Sequence, residues 1–182
     1  RLCGEWLEKC DHPSVAFSAG KDSTVMLHIV RSIAPECAAH YSHPEYELDE
    51  TRALIDTTVN LRQYAYKNAH ADWFVAWKDG AAVPDGVEWF DGKSSAEWAI
   101  RAGIDGVAVG IRSEENAYRK IVVRKHGALF YVKSKQIWQC WPLYDWSIED
   151  IWGYIMANNV PYNHAYDRMD AAGIPLHAQR IG

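Results

Sequence analysis

Hydrophobic and polar positions along the chain switch between two periods, and the switches mark out strands and helices. Residues 14–18 (Ser-Val-Ala-Phe-Ser) form a short apolar run of the length of a buried strand. Asp22 to Val30 then takes up helical spacing, with Val25, Met26, Ile29 and Val30 on one face. A tight turn holding a glycine lies between them. Ala38–Tyr41 reads as a second strand, and Glu50–Tyr66 as a helix with Leu54, Ile55, Val59 and Leu61 as core candidates. Asp72–Trp77 reads as a third strand. Lys78–Lys93 contains Gly80, Pro84, Gly86 and Gly92 and reads as a long loop or lid. Ser94–Ala102 reads as a helix, Gly106–Gly110 as a fourth buried strand, and Leu129–Val132 with Gln136–Trp141 as a hairpin. Ser147–Asn158 reads as a helix with Ser147 as N-cap and Asp150 at its third position, and Pro161 ends it.

Strands alternating with helices predict an α/β fold, a Rossmann-like and mostly parallel sheet with helices on both faces. A chain of 182 residues with 48% hydrophobic content suits one domain spanning residues 1–182. Sheets of this kind bind ligands at the carboxyl ends of their strands. The turns after residues 14–18 and after Gly106–Gly110 are therefore expected on the same rim.

Charge and cysteine content narrow the classes. A formal net charge of −5 gives no basic excess of the kind that nucleic acid selects, so a nucleic-acid partner is not expected. The sum leaves room for a local cluster: Arg112, Arg119, Lys120, Arg124 and Lys125 lie close together. The four cysteines, Cys3, Cys10, Cys37 and Cys140, show no zinc spacing, and no metal site is expected from them. They suit a reduced, cytoplasmic setting. Cys3 and Cys10, seven apart, are expected to pack within an N-terminal helix, and Cys140 to be a small buried hydrophobe in a strand. No secretory leader is read, and no run of about 18 apolar residues suggests a membrane span. The nine tryptophans, Trp146 and Trp152 among them, read as packing residues.

The strongest chemical signal is Val15-Ala-Phe-Ser-Ala-Gly-Lys-Asp-Ser-Thr-Val-Met-Leu-His28. Small residues let backbone approach a phosphate. Successive amides in a turn make an anion-binding concavity, and the following helix adds its positive end. Ser18 and Ser23 add hydroxyls, Lys21 adds a charge, and Asp22 sits where it can cap the helix. The pattern is not the Walker loop, which needs Gly at position 15 and Ser or Thr at position 22. It is not the dinucleotide fingerprint either. Arg112, just past the Gly110 turn, and Arg119 are the residue type for bidentate contact with phosphate or sulfate. Seven residues on a helix is about two turns, so they are expected on one face. Substitution of either by alanine is expected to weaken binding with little loss of stability. Glu115 suits orientation of an arginine, Mg²⁺ binding or a helix cap. Asp145 suits a turn, His43 a surface loop and His28 a structural place in the first helix; His164 and His177 carry no assignment.

Ser18–Ser23 resembles the Ser-Gly-Gly-x-Asp-Ser pyrophosphate loop of the adenine nucleotide alpha-hydrolase-like superfamily. Within it the chain is most similar to phosphoadenosine phosphosulfate (PAPS) reductases and the small, ATP-splitting subunit of sulfate adenylyltransferase. Ala19 stands in place of the first family glycine, a mild change. Gly110-Ile-Arg-Ser-Glu-Glu-Asn-Ala-Tyr-Arg119 matches a second family block at Gly110, Arg112, Glu115 and Arg119, with Asn116 where Ser is usual. Trp141-Pro-Leu-Tyr-Asp-Trp-Ser-Ile-Glu-Asp-Ile-Trp-Gly-Tyr154 looks like the third, followed by Pro161-Tyr-Asn. Ser42-His-Pro-Glu-Tyr-Glu-Leu-Asp-Glu-Thr51 keeps only Glu50-Thr51 of the family's substrate-side stretch. The reductases' Glu-Cys-Gly motif is absent from these 182 residues, as are the paired cysteines of the iron–sulfur-bearing relatives.

The resemblance implies an enzyme that binds an adenosine nucleotide, ATP or PAPS, and acts at its phosphate or phosphosulfate group. It implies nucleotide contacts at Ser18, Ala19, Gly20, Lys21, Asp22, Ser23, Gly110, Arg112 and Glu115. Catalytic roles then fall to Lys21, Arg112 and Arg119. A reductase would use a thioredoxin-like donor. The alternatives are splitting of ATP between its α- and β-phosphates, which needs Mg²⁺, and a nucleotide-binding module of a larger sulfur-transfer complex. A homo-oligomer is expected.

Overall fold

The computed structural model describes residues 1–44, 47–66, 87–92 and 94–181. Among the described residues seven strands form one sheet: β1 (Pro13–Ala16), β2 (Ala38–Ser42), β3 (Leu61–Tyr66), β4 (Val87–Phe90), β5 (Gly106–Val109), β6 (Leu129–Val132) and β7 (Ile137–Cys140). Their order is β4-β3-β2-β1-β5-β7-β6. All neighbours are parallel except β6 with β7, which form the expected hairpin. The chain builds outward from β1 in one direction and restarts with β5 on its other side. The order therefore reverses between β1 and β5, where open α/β sheets form their ligand crevice.

Side chains alternate across the strands and make two unequal layers. Val15, Ala39, Tyr41, Ala108 and Cys140 face one side. There they pack against α1 (Leu2–Leu7), α2 (Lys21–Ile33), α3 (Asp49–Asp56) and α6 (Ile148–Asn158), through Trp6, Met26, Val30, Ile55, Ile151 and Ile155. The other face carries a smaller cluster, Tyr64, Phe90, Val107 and Ile137, against Trp98 and Ala99 of α4 (Ser95–Arg101). Two further helices, α5 (Ala117–His126) and α7 (Ala165–Ala171), complete the described elements with two short 3₁₀ turns, Ser113–Glu115 and Leu176–Ala178. Among the described residues no helix is long and apolar enough to cross a membrane.

Local chemistry sets the helix ends. Ala34, which precedes Pro35, stops α2, because the proline ring disfavours helical backbone before it. Ser147 and Asp150 form the expected capping box of α6, and Asn159 in the left-handed region (φ 49°) ends it ahead of Pro161.

Three sequence expectations are corrected. Glu50–Tyr66 is not one helix. The β-branched run Thr57-Thr58-Val59 weakens helical backbone, both threonine hydroxyls bond back to the last turn of α3, and Asn60 takes a positive φ of 48°. The chain then extends into β3, which leaves Val59 68% exposed while Ile55 is buried. Val87–Phe90, read as part of a lid, is the edge strand β4 beside β3; the remainder of that reading, and the strand expected at Asp72–Trp77, lie outside the described residues. Cys10 lies beyond α1, which ends at Leu7, although both cysteines pack in the core.

Candidate functional site

The turn after β1 is closed by its own polar groups. The Ser18 amide donates to Ser23 Oγ (3.1 Å), and Ser23 Oγ donates to the Gly20 carbonyl (2.9 Å). Ala19 is fully buried at a φ of 58°, the left-handed region. A non-glycine residue there costs about 1–2 kcal/mol, so the replacement of glycine read as mild carries strain. Gly20 caps α2 in extended backbone. Its need is for space: a Cβ would lie 2.5 Å from the Ile181 carbonyl oxygen. The amides of the first helical turn lack intrahelical acceptors. That of Lys21 donates to Tyr166 Oη (3.1 Å).

The second turn meets the first. A Cβ on Gly110 would lie 2.7 Å from the carbonyl carbon and oxygen of Asp22 and 2.9 Å from the Ser23 nitrogen. The end of β5 thus rests on the first turn of α2, as the expected common rim requires.

Charges link the two turns. Asp22 bonds Lys21 Nζ (3.1 Å) through one oxygen and the Arg112 Nε through the other. Arg112, 3% exposed, also engages Glu114 and Glu115, and Glu115 in turn holds Arg119. Arg112 is therefore a tie between β5 and α2 whose donors face carboxylates. Three expectations change accordingly. Removal of Arg112 is no longer expected to leave stability little changed, because it unties β5 from α2. Asp22 does not cap α2; its carboxylate is taken by the cations. Arg112 and Arg119 do not share one helix face, since Arg112 precedes the 3₁₀ turn and Asn116, in extended backbone, separates that turn from α5. Glu115, not helical phase, brings the two arginines together.

A cavity of about 550 Å³ opens beside this rim, on the face of the sheet that carries α4. Ser18, Gly20, Lys21, Asp22, Ser23, Gly110, Glu115 and Arg119 line it. Ala19 and Arg112 do not. Residues that no local pattern signals complete the wall: His40 and Tyr64 from β2 and β3, Gln139 from β7, Lys135 from the hairpin, and Tyr166, Arg180 and Ile181 from the C-terminal region. The Lys21 ammonium lies 5.4 Å from the Tyr166 ring centre and 3.4 Å from the Gln179 carbonyl. Burial pushes the Tyr166 phenol up to about 12, so it keeps its proton at neutral pH.

All four cysteines pack in the core on the opposite face of the sheet. Burial raises the Cys10 and Cys37 thiols to about 12 and about 11, and a hydrogen bond to Cys3, then burial, raises Cys140 further. His43 is not a surface histidine; it is 7% exposed and bonds Gln63 (2.8 Å) and Glu47 (3.2 Å). His28 bonds Tyr154 (2.9 Å) as a structural residue, and Trp146 and Trp152 pack against the core. His164 pairs with Asp167 on the surface.

His40 gives the site a pH signature. It is 5% exposed and bonds Ser14 Oγ (2.8 Å). Burial, then the nearby Arg62 charge, lowers it to about 4 from 6.5. Below pH 6.5 the unfolded chain takes up a proton that the fold refuses, so stability falls as pH drops from 6.5 towards 4. The loss is roughly 3 kcal/mol. In urea unfolding, His40→Asn is expected to remove this part of the slope; equal slopes in both proteins would contradict the assignment.

Comparison with known proteins gives a consistent picture. A family model described as "Phosphoadenosine phosphosulfate reductase domain" matches residues 12–173. The chain is 26% identical over 214 residues to the Uncharacterized protein YbdN of Escherichia coli (strain K12), covering 92% of this chain and 53% of the relative, so it spans about half that protein's length. It is 25% identical over 197 residues to a phosphoadenosine 5'-phosphosulfate reductase of Xylella fastidiosa (strain M23), covering 99% of this chain and 78% of the relative. Among solved structures, a phosphoadenylyl-sulfate (PAPS) reductase from Candida auris superposes with a TM-score of 0.69 at 18% identity, covering 100% of this chain and 85% of that one. An FMN adenylyltransferase of Candida glabrata superposes at 0.59 with 14% identity, covering 91% and 56%.

Proposed function

Because this chain belongs to the phosphoadenosine phosphosulfate reductase domain family, we propose that it binds an adenosine nucleotide with the phosphate or phosphosulfate end in the Ser18–Ser23 loop. The observation that carries this reading is the contact of that loop with the Gly110 turn at the β1–β5 reversal, over a cavity of about 550 Å³. Small residues, first-turn amides and the positive end of α2 suit an oxyanion there. Arg119 and Lys21 add charge that can meet negative charge developing on phosphate or sulfate oxygens.

The preferred substrate is PAPS. In that reaction a thiolate sulfur bonds to the sulfonyl sulfur while the S–O bond to the phosphate breaks, releasing adenosine 3′,5′-bisphosphate and leaving an S-sulfonated thiol. A second thiol then displaces sulfite and forms a disulfide. The attacking thiolate is none of Cys3, Cys10, Cys37 and Cys140, which lie across the sheet from the cavity, and a thioredoxin-type donor supplies only the second thiol. The missing thiol on the cavity face is also what favours a second reading, ATP splitting with release of pyrophosphate. Asp22 and Glu115 are both held by cations, and the described residues hold no metal-binding cluster. They do not form a Mg²⁺ site of their own; the ion would arrive on the phosphates.

The 182-residue chain is expected to bind PAPS but release no sulfite from it with reduced thioredoxin present. Sulfite release that Cys140→Ser abolishes would overturn the placement of the thiol. Pyrophosphate from ATP and Mg²⁺ would replace the PAPS reading with the second one.

A further inference from the structure

Charge is segregated along this chain. Residues 116–144 carry Arg119, Lys120, Arg124, Lys125, Lys133 and Lys135 and no carboxylate. That is a local charge of +6 in a chain whose formal net charge is −5, so the remainder carries −11. The chain-wide sum conceals the segment.

The fold gathers these residues into α5 and the β6–β7 hairpin, and leaves them uncovered. No residue of α5 is buried. Tyr118 is 69% exposed and Ile121, one turn on, 58% exposed. Lys120, Arg124, Lys125, Lys133 and Lys135 are exposed, and among the described residues none of the five makes an ion pair. The surface is continuous with the site: Arg119 of α5 and Lys135 of the hairpin both line the nucleotide cavity.

We propose that this surface binds single-stranded nucleic acid, led past the mouth of the cavity by α5 and the hairpin turn. Charge complementarity selects the partner class. Protein–protein interfaces are depleted in lysine, whereas nucleic-acid interfaces are far more positive. Here four of the six cations are lysines and no acid interrupts them. An exposed tyrosine among cations is also the stacking platform that single strands use irrespective of sequence. The inference rests on charge and exposure, and is independent of the reaction proposed above.

The test is fluorescence anisotropy of a dye-labelled oligo-U 20-mer with the 182-residue chain, titrated between 50 and 200 mM salt. Binding is expected to weaken steeply with salt. The triple variant Lys120→Ala/Arg124→Ala/Lys125→Ala should bind at least tenfold more weakly, with the log–log salt slope smaller by about 2. Tyr118→Ala should weaken binding several-fold and leave the slope unchanged. None of these residues belongs to the nucleotide site, so unchanged nucleotide affinity serves as the folding control. No binding at 50 mM salt, or full affinity in the triple variant, would overturn the proposal. Equal affinity for a duplex would overturn the single-strand assignment. Equal affinity for poly-glutamate, insensitive to Tyr118→Ala, would assign the surface to an acidic protein instead.

Discussion

Arg112→Ala is expected to lower the unfolding free energy by about 3–5 kcal/mol and to abolish nucleotide binding with it. The guanidinium is 3% exposed and faces Asp22, Glu114 and Glu115. Its removal leaves Asp22 with Lys21 alone and Glu115 with Arg119 alone, at the point where β5 is fastened to α2. Arg112→Lys should restore little, because an ammonium cannot reproduce the planar fork that meets several carboxylates. Arg119→Ala gives the contrast. That residue is 32% exposed and paired once, so its loss should cost under about 1 kcal/mol of stability. Nucleotide affinity should nevertheless fall, by an amount matching a charge-assisted contact of about 1.5–3 kcal/mol. Urea unfolding and calorimetric nucleotide titration of the three variants separate the two roles. Equal stability of Arg112→Ala and wild type would contradict the structural role.

Gly110→Ala is expected to cost about 1–3 kcal/mol and to weaken nucleotide binding at least tenfold. The added methyl would meet backbone atoms of Asp22 and Ser23, which cannot swing aside as a side chain can. The first turn of α2 must move, and the Ser18–Ser23 loop moves with it. Gly153→Ala is the control. It lies within α6, and a methyl added there would meet nothing within 4 Å, so the better helix former should raise stability by up to about 1 kcal/mol. Thermal unfolding of both variants, with binding measured alongside, checks the pair; an unaffected Gly110→Ala would mean that the two turns tolerate separation.

The parts of the fold legible in the sequence were those specified by local chemistry. The apolar run at residues 14–18, the capping residues Ser147 and Asp150 and the hairpin around Gln136 carry their structure in their own neighbourhood. The Ser18–Ser23 turn belongs with them, since small residues between a strand and a helix leave little else to form. Glu50–Tyr66 misled because its apolar residues fit a helical face, while β-branching at Thr57–Val59 and a left-handed Asn60 divide it. Long-range partners left no local trace. Tyr166 reaches Lys21 across 145 positions and Asp22 reaches Arg112 across 90. Arg112 and Arg119 were legible as a pair by type, but their coupling through Glu115 depends on the break at Asn116. Ala19 shows the converse: its identity was plain, and the strain it bears appears only in its backbone angle.

The central claim is that the phosphate end of an adenosine nucleotide sits in the Ser18–Ser23 loop. The most direct measurement is a crystal structure of the chain with adenosine 3′,5′-bisphosphate bound. The 5′-phosphate is expected against amides of that loop, with Arg119 within hydrogen-bonding distance and the remainder of the nucleotide in the cavity beside β1 and β5. An ordered nucleotide held elsewhere, with the loop making no contact to a phosphate, would contradict it.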